Sequence, residues 1–289
     1  MRIIQYYFLL YLVVPGESVR DTEYCCTYCS RRRTHTVCKY PKAGIGKDCV
    51  RFIRGSLIDK ERTSLLNMHN SLRQLIAQGK IKQQPQGSNL VEMIWDDELE
   101  FIAKRWNDQC IYAHDDCRNS LRFVVGQNIA YTFSKTAESM TQFWFDEYLI
   151  TPQSLINNMT EIEVFVKLSG EMKKRDSGHF TQIAWANSYR LGCSVNVQFV
   201  IPDFKTTIMC DYGPAGNILN TPVYKIGKGC SDCPVGTECS KRFPGLCAMK
   251  CSKLYPFFCE GYGSASTIFP FSKFYVITVS LFASLIHSF

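Results

Sequence analysis

The sequence predicts an α+β fold with an antiparallel sheet, because helical and strand patterns occupy different parts of the chain. Helical periodicity is present at 59–79, 96–110 and 137–151. Short apolar or alternating segments, typical of strands, follow at 180–185, 193–201 and 206–213. Helices that precede a group of strands favour an antiparallel sheet over alternating βαβ units.

The first predicted helix begins near Asp59, which opens an acidic first turn. Leu65, Leu72 and Ile76 recur at helical spacing and define its buried face. His69 falls on the same face, between Leu65 and Leu72. A histidine within an apolar stripe is more commonly a hydrogen-bonded core residue than a ligand, so the residues alone favour a structural role for His69.

The second and third predicted helices each carry a local signal. Asp96 is the expected N-cap of the second helix, and further acidic residues fill its first turn. The third helix runs over 137–151, with Trp144 among its apolar contacts and Glu147 near its end.

The strand predictions start from His179, which stands immediately before the run Phe180–Trp185 with apolar residues at both of its ends. This run is typical of a buried strand, so we expect His179 at the mouth of a strand. Gly126 interrupts another apolar segment at 124–133. Further on, segment 193–201 alternates between apolar and polar residues, as in a strand with one buried face.

Two loops have residues with a chemical interpretation. His114 begins the segment His-Asp-Asp-Cys, where a metal site is one interpretation and a capped, disulfide-pinned turn is the favoured one. Asn158 begins Asn-Met-Thr, an acceptor sequence for N-linked glycan in a secreted protein.

The cysteine content and the first residues indicate export. Fifteen cysteines in 289 residues are typical of disulfide-bonded proteins in an oxidising compartment. Residues 1–18 have a basic start, an apolar core too short to span a bilayer and small residues near the end, which predicts a cleaved signal peptide. We therefore expect a secreted, extracellular protein.

The C-terminal part of the chain divides into two predicted segments. Residues 222–260 contain six cysteines and are too few to fold by packing alone, so they predict a small disulfide-stapled module whose pairing the sequence leaves open. Residues 261–289 form a hydrophobic tail that follows small residues, which is typical of a GPI-attachment signal with its site within Ser264–Ser266. A greasy terminus or a weak tail anchor is the alternative, and we expect no other membrane attachment.

The net charge of +7 is spread along the chain. Its one basic cluster, Arg31–Arg33, lies among cysteines without interleaved aromatic residues. This pattern argues against nucleic-acid binding and favours a solvated loop.

Several segments together resemble the CAP superfamily (cysteine-rich secretory, antigen 5 and pathogenesis-related proteins). Within this superfamily, the resemblance is strongest to arthropod antigen 5-like venom allergens. These segments are GHFTQIAW, CDYGPAGN, HNSLR and WFDE, with GQNIA and the cysteine-rich lead-in. The resemblance covers about 24–220, within a predicted CAP domain at 19–221, and the module at 222–260 resembles the hinge of some members. It implies a three-layer α-β-α sandwich. It also implies four disulfides: Cys25–Cys38, Cys29–Cys117, Cys49–Cys110 and Cys193–Cys210, which leaves Cys26 without an assigned partner.

The resemblance also implies a central cleft in which His69 and His179 converge. It brings Glu147 of the WFDE segment to the same cleft, and it places Gln127 where many members have a glutamate. Two imidazoles and a carboxylate form a plausible set of ligands for Zn²⁺ or another divalent cation. Glu147 would either bind the metal or orient a histidine. Gln127 lines the cleft, and since an amide cannot act as a base, it weakens the case for catalysis more than for metal binding.

The resemblance favours a non-enzymatic protein that binds a lipid, a sterol or an extracellular protein. Segment 198–209 resembles the region where sterol binding is placed in the family, although an ordinary hairpin is an equally good interpretation. One alternative is a metal-dependent hydrolase or peptidase that uses Glu147, His69 and His179. The other is an ion-channel or receptor modulator that acts through the cysteine-rich module.

Overall fold

The computed structural model describes residues 24–25, 29, 34–133, 136–168 and 171–250. The predicted signal peptide at 1–18, the tail at 261–289 and Cys26 lie outside the described residues. Within the described part, no helix has the length and apolar character needed to cross a membrane.

Most helices lie in the first two thirds of the described chain, and consecutive strands follow the last of them. The helices are α1 (Thr36–Lys39), α2 (Asp59–Ala77), α3 (Asp97–Asn107), α4 (Ala137–Phe145), α5 (Gln153–Asn157) and α6 (Gly178–Ala184), with a 3₁₀ helix (Asp146–Leu149) directly after α4. The strands are β1 (Phe52–Arg54), β2 (Ile94–Trp95), β3 (Gly126–Phe133), β4 (Glu163–Leu168), β5 (Glu171–Asp176), β6 (Arg190–Val200), β7 (Asp203–Gly213), β8 (Thr237–Cys239) and β9 (Cys247–Met249).

The central sheet has the strand order β1-β6-β7-β3 and is antiparallel along this path, which confirms the predicted fold class. The short strand β2 adds to β6 in parallel. Strands β6 and β7 form a long hairpin whose pairing runs from Arg190 and Gly213 to Val200 and Asp203. Strand β3 lies on the other side of β7, with Gln127 directly opposite Asp211.

Helices cover both faces of this sheet. On one face, Trp106 of α3 packs with Ile129 and Met209. On the other, Ala130 and Ile208 belong to the large core with residues of α2, α4 and α6. Alternate residues of β3 and β7 therefore feed two hydrophobic layers, as expected when successive strand side chains point to opposite faces. The result is the three-layer α-β-α arrangement that the resemblance implies.

The local helix signals act as the sequence predicts at two positions. Helix α2 begins at Asp59, and Asp96 caps α3 by accepting a hydrogen bond from the Leu99 N–H at 3.2 Å. The third helix is regular only to Phe145, after which the chain tightens into the 3₁₀ helix that contains Glu147.

The prediction that Phe180–Trp185 forms a strand is wrong, because residues 178–184 form helix α6. Nearly every side chain in this helix is buried, so the sequence shows no polar face that would reveal a helical period. A short run that is buried throughout, polar residues included, cannot be assigned to helix or strand by periodicity. His179 therefore lies at the start of a helix.

The described disulfides tie together the lead-in, the sheet and the C-terminal module. They are Cys25–Cys38, Cys29–Cys117, Cys49–Cys110, Cys193–Cys210, Cys230–Cys239 and Cys233–Cys247. The first four are the pairs that the resemblance implies, and the last two give the pairing of four of the six C-terminal cysteines. The remaining two, Cys251 and Cys259, lie outside the described residues.

The C-terminal module is packed against the sheet-bearing domain through backbone and core contacts. The Glu92 N–H donates to the Cys247 carbonyl, and the Cys247 N–H donates to the Leu90 carbonyl, both at 2.8 Å. Phe243 and Leu246 are buried members of the main core. The module up to residue 250 is therefore integrated into the main core.

Candidate functional site

His179 is the second residue of α6, at the helix terminus where backbone N–H groups have no intrahelical partner. Gly178 has no side chain, which allows the start of this helix to pack closely against Ile162 and Asp176. A Cβ at position 178 would lie 2.5 Å from Cγ2 of Ile162 and 2.9 Å from Oδ1 of Asp176. This close packing fixes the start of α6 and, with it, the backbone position of His179.

Glu147 binds the start of α6 through both of its carboxylate oxygens. Oε2 accepts from the N–H groups of His179 and Phe180, each at 3.1 Å, and Oε1 lies 2.7 Å from Nδ1 of His179. The indole of Trp144 stacks on the same imidazole, with 5.9 Å between ring centroids. Because a carboxylate oxygen only accepts, Nδ1 carries a proton, and the neutral ring keeps its lone pair on Nε2.

Electrostatics couple the two groups. Burial raises the pKa of Glu147, although the hydrogen bond and charge of His179 oppose this change. Burial alone would lower the pKa of His179, but the hydrogen bond and the negative charge of Glu147 outweigh it, and Asp176 adds to them. The pKa of His179 is therefore raised above its ordinary value of 6.5.

A second histidine, His114, contacts the residue that the resemblance places in the cleft, Gln127. This histidine lies in the exposed loop after Cys110, and its Nδ1 is 2.8 Å from the side-chain oxygen of Gln127. Partial burial of its ring lowers the pKa of His114, the hydrogen bond with Gln127 opposes this change, and the positive charges of Arg118 and His179 lower the pKa further. The structure links the two histidines through β3: Gln127 contacts His114, and the side chain of the next residue, Asn128, donates to the His179 carbonyl at 3.1 Å.

Gln127 is held in turn by Asp211. The Gln127 Nε2–H donates to Oδ1 of Asp211 at 2.9 Å, so the side-chain oxygen of Gln127 faces His114. An amide oxygen only accepts, so His114 carries its proton on Nδ1, as His179 does. Asp211 is fully buried, and burial raises its pKa well above the ordinary value, with Arg118 acting in the opposite direction.

His69 does not join this cleft, which corrects the expected convergence of His69 with His179. Its side chain is fully buried, with Nδ1 2.8 Å from the Leu65 carbonyl and Nε2 2.9 Å from the Tyr212 hydroxyl. Both ring nitrogens are therefore occupied, and burial lowers the pKa of His69 to about 4. The core role that the apolar stripe alone favours describes His69 correctly.

Sequence reasoning missed Asp211, and it favoured a disulfide-pinned turn over a metal site for His114. The Cys110–Cys117 segment is tied at both ends by disulfides, to Cys49 and to Cys29, and these long-range links decide which way His114 faces. The sequence does hold a signal for Asp211. It follows Cys210 on a predicted strand of the sheet, and a carboxylate that is buried in a sheet needs a hydrogen-bonding partner. Its partner, Gln127, had already been singled out.

The donor set of the cleft fits a divalent cation such as zinc. His114 and His179 each have Nδ1 held by an acceptor, which is the usual arrangement around a metal-binding imidazole. Donor atoms of Glu147, Asp176 and His179 also lie within 4.8 Å of one another. Since both oxygens of Glu147 already bind α6, its geometry matches the orienting role rather than that of a ligand.

The sequence of this chain is similar to those of known proteins. Residues 66–212 match the family described as CAP, the cysteine-rich secretory protein family. Venom allergen 3 of Solenopsis invicta is 34% identical over 238 residues, which cover 76% of this chain and 97% of that protein. Venom allergen 5.01 of Dolichovespula maculata is 34% identical over 228 residues, covering 76% and 96%.

Solved structures agree with the fold. BmVAL-1 has 26% identity and a TM-score of 0.52, over 67% of this chain and 96% of that chain. Na-ASP-1 has 26% identity and a TM-score of 0.51, over 71% of this chain and 51% of that one, so the match spans about half of Na-ASP-1. Because the family match covers half of the sequence and the venom allergens align over almost their full length, this chain belongs to the CAP family of cysteine-rich secretory proteins.

Proposed function

We propose that the protein is a non-enzymatic, extracellular CAP protein that binds a divalent cation at His114 and His179. The observation that carries this proposal is the shared hydrogen bonding of the two rings. Glu147 and Gln127 each accept from an Nδ1–H, which leaves Nε2 of both neutral imidazoles available to a metal. The disulfides and the similarity to venom allergens support the extracellular location.

A hydrolase at the same cleft is the second candidate. Bound zinc would supply a Lewis acid and a water of lowered pKa, so hydrolysis would also require a free general base. Glu147 is occupied by His179 and the start of α6, and Gln127 cannot accept a proton as a base. These contacts favour binding over catalysis.

A zinc titration of the purified protein tests the metal site. We expect His114→Ala and His179→Ala each to weaken zinc affinity by at least about 10-fold. His69→Ala, by contrast, should lower stability while the metal stoichiometry is retained. If His69→Ala abolished zinc binding and His114→Ala did not, our choice of ligands would be refuted. Hydrolysis of a peptide or ester library that disappears in Glu147→Gln would instead favour the hydrolase.

A second surface supports lipid or sterol binding. The turn between β6 and β7 presents Val200, Ile201 and Phe204, which are 37%, 69% and 50% exposed, and we name these three residues the hairpin surface. The Phe204 ring packs on Phe199 at a centroid distance of 5.2 Å, so the apolar area extends into the sheet. Contiguous exposed apolar groups mark binding sites for lipids or partner proteins. We propose that this surface binds the apolar ligand.

A matched pair of phenylalanine variants tests the hairpin surface. Phe204→Ser should reduce sterol binding, measured with radiolabelled cholesterol, because it removes a central apolar contact. Phe143→Ser is the control, since Phe143 on α4 is 63% exposed and lies outside the hairpin surface. Equal binding by both variants would exclude the hairpin surface as the sterol site. Uptake of no sterol by the folded wild-type protein would leave an extracellular protein as the partner.

Two modifications complete the proposal. Asn158 and Thr160 are exposed after α5, so the acceptor sequence is accessible, and we expect N-glycosidase to lower the mass of the secreted wild-type protein but not of Asn158→Gln. The tail at 261–289 is proposed to direct GPI attachment. Release of the protein from cells by phosphatidylinositol-specific phospholipase would support the anchor, and full retention would contradict it.

A further inference from the structure

We propose that Asp211 is a positioning residue for His114: acting through Gln127, it fixes the tautomer that presents Nε2 to the cleft. This inference rests on the proposed metal site. The three residues form a continuous chain, from Oδ1 of Asp211 to the Gln127 amide at 2.9 Å and from the Gln127 oxygen to Nδ1 of His114 at 2.8 Å.

Gln127 cannot fix the His114 tautomer alone. A side-chain amide has a donor end and an acceptor end of nearly the same shape, so it can present either end to an imidazole. If the amide turned around, its NH₂ group would face Nδ1 of His114. The imidazole would then keep its proton on Nε2, where the proton would block a metal.

Asp211 removes this ambiguity. It lies directly opposite Gln127 in the register of β3 and β7 and is fully buried, so it has little freedom to move. An ionised carboxylate only accepts hydrogen bonds, so Oδ1 takes the NH₂ group of Gln127 and not its oxygen. Gln127 must therefore direct its NH₂ group to Asp211 and its oxygen to His114.

Each of the two histidines is thus oriented by a carboxyl group, one directly and the other through an intervening amide. Glu147 contacts His179 directly, whereas the carboxyl group that controls His114 is one residue further away. Moving the carboxylate from position 211 to position 127 should then preserve the function. This exchange gives the proposal a rescue test.

The test compares Asp211→Asn with a double variant that combines Gln127→Glu and Asp211→Asn. In Asp211→Asn, either end of the new amide can face Gln127, so imidazole nitrogen NMR shifts of the metal-free protein should show His114 as a mixture of tautomers. Zinc affinity should fall by about 10-fold. In the double variant, the carboxylate introduced at position 127 accepts from both His114 and the new amide at position 211, so the single Nδ1–H tautomer and the zinc affinity should return. Asp232→Asn, at an exposed ion pair with Lys225, controls for the loss of one charge.

Two results would overturn the proposal. The first is an Asp211→Asn variant in which His114 remains a single Nδ1–H tautomer. The second is a folded double variant in which the mixture of tautomers persists. A carboxylate at position 127 restores a lost acceptor but does not repair a general loss of stability, so this result would show that a lost acceptor is not the cause of the mixture. The tautomer is measured without metal, so a wild-type protein that binds no zinc would refute the proposed function while this test still decides the role of Asp211.

Discussion

Glu147 holds the imidazole of His179 at an Oε1–Nδ1 distance of 2.7 Å while its other oxygen accepts from the first N–H groups of α6. One carboxylate therefore satisfies the end of a helix and sets the orientation and charge of a cleft histidine. The same contact raises the pKa of His179 against the opposing effect of burial. A proton on Nε2 of this ring consequently competes with a metal as far as the raised pKa.

We predict that zinc affinity rises with pH through the raised pKa of His179. In Glu147→Gln, the ring loses its anionic partner, so its pKa falls and the midpoint of the pH profile moves to lower pH. At a pH well above the raised pKa, where both proteins have a neutral His179, the variant should bind zinc about 10-fold more weakly because an amide orients the ring less firmly. Titrations at several pH values measure both effects, and an unshifted midpoint would contradict them.

The stability of the metal-free protein should also depend on the protonation of His179, but this contribution should fall, rather than rise, as the pH increases. A raised histidine pKa means that the protonated His179–Glu147 pair stabilises the fold fully below the unfolded value of 6.5. This contribution is lost as the pH rises through the pKa of the folded state. Thermal unfolding of wild type and Glu147→Gln should therefore differ more on the acid side of this range than on the alkaline side.

A second prediction concerns the loop that carries His114. This loop is anchored at Cys117 by the disulfide to Cys29, and the Cys117 carbonyl accepts from the Thr36 N–H at 2.9 Å. Replacing both Cys29 and Cys117 by serine should loosen the loop and weaken zinc binding several-fold. The matched control replaces Cys230 and Cys239, whose disulfide lies in the C-terminal module. Equal losses in both double variants would mean that the effect is global.

A third prediction concerns Glu92, which joins the main domain to the C-terminal module. It is buried, accepts from the Ser240 hydroxyl, and has a pKa that burial raises. A carboxyl group with a raised pKa in the folded state costs stability as the pH rises above its ordinary value. Glu92→Gln keeps an oxygen for Ser240 but does not titrate, so we expect it to gain stability relative to wild type between about pH 4 and about pH 8.

Thermal unfolding at those two pH values measures the gain. Glu238→Gln on β8 is the control, because this side chain is exposed. If the difference between Glu92→Gln and wild type were the same at both pH values, ionisation of Glu92 would not contribute to the stability of the contact.

The parts of the fold that local signals determine could be predicted from the sequence. Asp96 caps α3 and the apolar stripe of α2 is buried, because capping and helical periodicity depend on residues only a few positions apart. Helix α6 could not be predicted in this way. It is buried on almost all sides, so its apolar pattern has no period, and only its tertiary surroundings make it helical.

The residues of the candidate site could likewise be predicted from the sequence only in part. The resemblance implies both Glu147 and His179 as cleft residues, and the structure brings the two side chains into contact. The choice between His69 and His114 depended on which ring faces the cleft. His69 is turned inward to Tyr212, and His114 is brought to Gln127 by a loop whose course is set by disulfides. No spacing in the sequence contains that information.

The last prediction concerns Arg73, which connects α2 to the end of helix α6. Its guanidinium group is fully buried and donates to the carbonyls of Ile183 and Trp185 at 2.7 Å each, and also to those of Val91 and Ala186. Carbonyls at a helix C-terminus have no intrahelical donor, so Arg73 closes the helix that begins at His179. Arg73→Met would leave the buried carbonyls of Ile183 and Val91 without a donor, whereas those of Trp185 and Ala186 would keep the N–H groups of Ser188 and Val91.

We expect Arg73→Met to lower the free energy of unfolding by about 3 kcal/mol or more, since each buried group left unsatisfied costs about 1–3 kcal/mol. Arg54→Met is the control: it removes a partly exposed ion pair with Glu61 and should cost at most about 1 kcal/mol. Chemical denaturation measures both values. A loss in Arg73→Met no larger than that in Arg54→Met would show that water or a local rearrangement satisfies these carbonyls, and that Arg73 does not hold the end of α6.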